Sequence, residues 1–60
     1  MITITYHDTL YNRTATMLVA PGTKIQFGDE IHPNELLFAS MGHRYGIAYQ
    51  HIISIEEKED

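Results

Sequence analysis

No cysteine occurs in this chain of 60 residues, and for a chain so short that absence limits the fold more than any motif does. Domains of this size bury only about 60% of the surface their unfolded chains expose, and many lean on disulfides, a metal or self-association. Disulfides and thiolate zinc sites are excluded, and nothing points to an oxidising compartment. A single small domain is expected, closing its core by packing and helped by association with further copies of itself, as a dimer or larger. No apolar run approaches the roughly 20 residues of a membrane-spanning helix. The start, "MITITYHD", lacks a basic segment followed by a hydrophobic one. The expectation is a cytoplasmic protein with no membrane partner.

The order of residues points to β-structure. In "ITITY", Ile2, Ile4 and Tyr6 alternate with Thr3, Thr5 and His7, the period-2 pattern of a half-buried strand. Asp8 and Asn12 break that pattern as turn formers, and "TATMLVA" supplies a second, threonine-rich strand over 14–20. "APGT" reads as a turn, with Pro21 at its second position and Gly22 at its third, where positive φ is needed. Pairing of 14–20 with 23–28 across that turn would bring Leu18 to Ile25 and Thr16 near Phe27. Val19, Met17, Lys24 and Gln26 would share the other, mixed face.

Residues 33–41 carry the signals of a short helix or helical turn. Pro33 suits a first turn, Glu35 suits the positive end of the helix dipole, and Gly42 suits the position after the last turn. Leu36, Leu37 and Met41 would then form an inward stripe, although a short apolar run such as "ELLFAS" also fits a strand. "RYGIAYQHIISIEE" reads as one long closing strand. Tyr45, Ile47, Tyr49, His51, Ile53 and Ile55 share one face, and Gly46, Ala48, Gln50, Ile52 and Ser54 share the other. Ile52, opposite the main apolar face, is a candidate for an interface between copies.

The net charge of −4 is unevenly placed. Residues 56–60 hold Glu56, Glu57, Glu59 and Asp60 against Lys58, and read as a solvated acidic tail. Residues 1–55 form the domain proper, where Asp8, Asp29, Glu30 and Glu35 nearly balance Arg13, Lys24 and Arg44. So few cations cannot neutralise many phosphates, which disfavours tight nucleic-acid binding unless assembly concentrates them.

Catalytic chemistry finds no foothold. Ser40 and Ser54 lack a nucleophile motif, no carboxylate pair can be placed by spacing, and no glycine loop suited to phosphate is present. Of the histidines, His7, His32, His43 and His51, no two have a spacing that puts them on one strand face or helix turn. No metal and no cofactor are therefore expected. Tyr6, Tyr11, Tyr45 and Tyr49 suit a small core whose hydroxyls reach solvent, and equally an interface, where tyrosine is enriched.

"MLVAPGTKIQFG" followed by "YQHIISI" resembles the two motifs of bacterial Sm-like proteins of the Hfq type. Gly22, Lys24, Gln26 and Gly28 match the first, and Tyr49, His51, Ile53 and Ser54 match the second, so the resemblance covers 14–28 and 47–55. It implies a small SH3- or Sm-like barrel that assembles into rings and binds RNA, reading it through Tyr49, His51 and Lys24. Gln50 stands where the family carries an RNA-contacting lysine, and "ITITY" replaces its N-terminal helix.

The expected architecture is mainly β: a small SH3/Sm-like barrel or a curled antiparallel sheet, with one short helix near 33–41. The expected function is that of a non-enzymatic oligomeric protein-binding module. In size and composition it looks like the small inhibitors that phages direct against bacterial defence enzymes, with a host protein as target. The alternative is the Sm-like RNA-binding ring, and a third reading is a small-ligand binder with its pocket between subunits. Candidate binding residues are Tyr49, His51, Lys24, Gln50 and Tyr45, and candidate interface residues are Ile52, Tyr6 and Tyr11. Of these, the "YQH" corner sets the sharpest question: ligand contact, or closure of the fold.

Overall fold

The computed structural model describes residues 1–58. The protein is mainly β, built as two three-stranded antiparallel sheets. Strands β1 (Ile2–Asp8), β2 (Arg13–Val19) and β6 (Ile52–Glu57) form the first, in the order β2-β1-β6. The second holds β3 (Gln26–Phe27), β4 (Glu35–Ser40) and β5 (His43–Ala48), in the order β3-β4-β5. A 3-10 helix at Tyr49–His51 carries the chain from β5 in one sheet to β6 in the other. The two sheets curl around a shared core and do not close into a barrel.

The first strand and its partner follow the alternation of their residues. Ile2 faces Val19 and Ile4 faces Met17 across the β1–β2 ladder. Asp8 takes the Leu10 N–H at 3.0 Å and Asn12 adopts φ 49°, so the two expected turn formers do close the hairpin. The inward side of β2 is Ala15, Met17 and Val19, whereas Thr14, Thr16 and Leu18 face solvent. That reverses the expected faces of this strand, because the expectation rested on a pairing that does not form.

The turn at Pro21–Gly22 is present, with Gly22 at φ 84° and the Thr23 N–H donating to the Ala20 carbonyl at 3.3 Å. It does not make a hairpin of 14–20 and 23–28. A turn of this type splays the strands it joins, since its twist is opposite to theirs. The chain instead leaves the first sheet, and β3 pairs with β4, Gln26 against Leu37 and Phe27 against Leu36.

Residues 35–40 are a strand, not a helix. Leu36 and Phe38 alternate into the core opposite Ile47 and Tyr45, and Phe38 stacks on Tyr45 with centroids 5.4 Å apart. Gly42 does end the segment, but as half of a two-residue hairpin: Met41 at φ 51° and Gly42 at φ 79°. Two successive positive φ values give the twist that antiparallel strands prefer. Long-range pairing on both flanks of β4 outweighed local signals that suited a helix start and stop equally well.

The closing segment is likewise not one strand. The 3-10 helix interrupts it, and its first residue, Tyr49, donates its N–H to the Asn34 carbonyl at 3.0 Å. Beyond it, Tyr6 faces Ile52 and Thr5 faces Ser54, so Ile53 is an extra residue in a β-bulge. The helix and bulge together reset the alternation. Ile52 packs against the core, Ile53 is 60% exposed, and Ile55 returns to the core side opposite Ile4.

The buried core is small: Ile2, Ile4, Val19, Leu36, Phe38 and Ile47, with Tyr6, Met17, Ile25, Tyr45 and Ile52 packed around it. Glu56 and Glu57, expected in the tail, belong to β6, and Lys58 still exchanges two backbone bonds with Met1. Glu59 and Asp60, the rest of the expected tail, lie outside the described residues. No helix among the described residues is long and apolar enough to cross a membrane.

Candidate functional site

Three surface features combine residues from distant parts of the chain. The first is a groove of about 580 Å³ lined by β3, β4, β5 and the loop before β4. Gln26, Leu37 and Gly46 form one row across the three strands and line it. Gly46 keeps that row shallow: a Cβ there would meet Glu35 Oε1 at 2.9 Å and Leu37 Cδ2 at 3.2 Å.

The loop over the groove is held by Asp29. Its carboxylate accepts the N–H groups of Ile31 and His32, while its own N–H donates to the His32 carbonyl at 3.2 Å. Asp29 is thus an Asx-turn residue whose role is local geometry. The same carboxylate lies 3.7 Å from His32 Nδ1, and Glu35 Oε2 lies 3.9 Å from His32 Nε2. Lys24 and Arg44 also line the groove. Charges of both signs therefore face one hollow, which suits a polar ligand of mixed charge better than a polyanion.

The second feature is the corner at Tyr49–His51. Its three residues form the 3-10 helix, and none of them is buried. Lys24 and Tyr45 line the large groove, but Tyr49, Gln50 and His51 do not. The candidate binding residues thus fall into two groups, Lys24 with Tyr45 and Tyr49 with Gln50 and His51. His51 instead lines a smaller hollow together with His7. That meeting was invisible in the spacing of the histidines, because it depends on how β1 pairs with β6.

The third feature is the free edge of β2. Among the described residues this strand pairs only with β1. It is seven residues long, pairs with β1 without a register shift, and carries one charge, Arg13, at its end. Leu18 on its solvent side is 64% exposed. By contrast, β6 at the opposite edge of this sheet carries a bulge and ends in Glu56 and Glu57, two devices that blunt an edge.

The candidate interface residues separate in the same way. Ile52 and Tyr6 are half-buried against the core of their own chain, because the 3-10 helix and the bulge turn Ile52 inward. Tyr11 is exposed in the β1–β2 turn, with the Arg13 guanidinium 5.0 Å from its ring centroid. Leu18, which sequence reasoning placed inside, is the apolar side chain beside the unprotected edge. The signal for it was present, since Thr14 and Thr16 share its side of the strand. Neither a protein-family model, nor a curated protein, nor a solved structure matches the chain.

Proposed function

We propose that the protein is a non-enzymatic binding module that self-associates and engages protein partners by adding a strand to the edge of β2. The observation that carries this reading is the state of that edge: seven residues, unpaired, unbulged, with Leu18 exposed beside it. Such an edge offers a row of N–H and C=O groups to another chain, and most proteins blunt it. The small core supports the same reading, because added strands would cover apolar surface that one chain leaves open.

Two copies pairing through β2 would give a homodimer, and a partner with its own free strand would compete for that edge. In this reading the partner is a host protein in the cytoplasm. The likeness in size and composition to phage-encoded inhibitors of defence enzymes makes such an enzyme the target to test first.

The test is sedimentation of the wild type and Leu18→Lys at micromolar concentration. A dimer or larger species is expected for the wild type, with a Tm that rises with protein concentration. Leu18→Lys should be a folded monomer whose Tm does not depend on concentration. A wild type that stays monomeric and captures no protein through this edge overturns the reading.

The Sm-like RNA-binding ring is kept as a second reading because Lys24, Gln26, Arg44 and Tyr45 converge on one groove. Asp29 and Glu35 line that groove too, and oppose a phosphate backbone. RNA binding with a steep loss between low and moderate salt, abolished in Lys24→Ala but not in Leu18→Lys, would decide for the ring.

A further inference from the structure

His7 at the end of β1 and His51 in the 3-10 helix are far apart in sequence, and the fold sets their rings face to edge. Their centroids are 6.4 Å apart and their planes cross at 61°. Both side chains are half-buried and line one hollow of about 170 Å³, with Asp8 and Thr9 in its wall. Neither imidazole makes a hydrogen bond to another described residue. Two unengaged imidazoles sharing a small hollow, one on β1 and the other on the 3-10 helix that leads into β6, are a chelating arrangement.

Imidazole nitrogen is a preferred ligand of the later divalent transition metals. With metal–nitrogen bonds of about 2.0–2.1 Å, two imidazoles on one tetrahedral ion have centroids about 5 Å apart. The rings stand 6.4 Å apart in the structure, so binding draws them together by slightly more than about 1 Å. We propose that His7 and His51 form a two-histidine clasp for a divalent ion of the nickel, copper or zinc class.

The described residues contain no group of three or more histidines and carboxylates arranged for a metal. Asp8, the carboxylate in the hollow, accepts the Leu10 N–H at 3.0 Å and makes no three-ligand group with the two histidines. Water therefore completes the coordination, and the site is exchangeable and not a buried structural centre. Affinity rises from zinc and nickel to copper, following the general order for nitrogen ligands. The bound ion ties the turn that enters β6 to the end of β1, so it stabilises the folded chain by linkage.

The experiment is a thermal melt of the full chain with Ni²⁺ and with an excess of chelator. At about ten times the dissociation constant, Ni²⁺ should raise the Tm by about 5–10 °C, reversed by the chelator. His7→Gln and His51→Gln should each remove the shift, while His32→Gln and His43→Gln keep it. Because a variant at the sheet could unfold, the wild type is also probed by NMR with substoichiometric Cu²⁺. The ring signals of His7 and His51 should broaden before those of His32 and His43, at one ion per chain. A Tm that millimolar Ni²⁺ leaves unchanged, a shift surviving in either His7→Gln or His51→Gln, equal broadening of all four rings, or one ion shared by two chains would overturn the clasp.

Discussion

The backbone of Gly28 approaches that of Pro33 so closely that a Cβ on Gly28 would lie 2.8 Å from the Pro33 carbonyl oxygen. Gly28 also adopts φ 83°, in the left-handed region. Gly46 differs on both counts: its Cβ would meet only the ends of the Glu35 and Leu37 side chains, which can move. Gly28→Ala should therefore cost about 2–3 kcal/mol, from left-handed strain and a backbone clash. Gly46→Ala should stay within about 1 kcal/mol of the wild type, because the strand gains what glycine costs it. Urea denaturation of the two variants checks this, and equal losses would show that the loop over the groove can relax around a new side chain.

Met41 holds φ 51° at the tip of the β4–β5 hairpin and is 94% exposed. A non-glycine residue there carries strain that asparagine tolerates better, and Asn-Gly is a preferred pair for this turn. Met41→Asn should stabilise the fold by about 0.5–1 kcal/mol. For a domain of this size that corresponds to a rise in Tm of roughly 2–8 °C. An unchanged or lower Tm would count against a turn with two positive φ values.

Leu36 and Leu37 are neighbours, and a helix would place both on its inward stripe. In the strand only Leu36 is fully buried, while Leu37 lines the groove. Leu36→Ala should cost about 2–5 kcal/mol, enough to unfold much of so small a domain. Leu37→Ala should cost about 1 kcal/mol or less, since it removes area that is only partly covered. Circular dichroism melts of the pair distinguish the two arrangements, and comparable losses would favour the helical stripe.

The end of the chain can be trimmed residue by residue. Ending it after Glu57 removes the two backbone bonds between Lys58 and Met1, both at the surface. The expected loss is about 0.5–1 kcal/mol. Ending it after Ser54 takes away half of β6, including Ile55, which is 41% exposed but lies opposite the fully buried Ile4. That truncation should abolish cooperative unfolding, as seen in a melt without a baseline at low temperature. A cooperative melt in the shorter form would mean that β1 and β2 hold the sheet without β6.

Where local chemistry and tertiary contact agreed, the fold was legible in the residues. Ile2, Ile4 and Tyr6 alternate with threonines, and β1 has the faces that this pattern requires. Asp8, Asn12 and Gly22 sit in the turns their side chains or missing Cβ suit. The mainly β class follows from such features, which act over a few residues and need no knowledge of distant partners. The candidate site was less legible: Lys24 and Tyr45 meet in the groove, while Tyr49 and Gln50 stand apart from it.

The tertiary structure decided the rest, at three places where local signals were degenerate. Pro33, Glu35 and Gly42 would bracket a helix, but pairing with β3 and β5 makes 35–40 a strand. The Pro21–Gly22 turn allows a hairpin or a crossing between sheets, and the partner available to β3 selected the crossing. In the last segment, the 3-10 helix and the extra residue at Ile53 exchanged the faces of Ile52 and Ile53. A strand has period 2, so one added residue inverts every later side chain. Only long-range pairing, here of Tyr6 with Ile52 and Ile4 with Ile55, says where that residue is added.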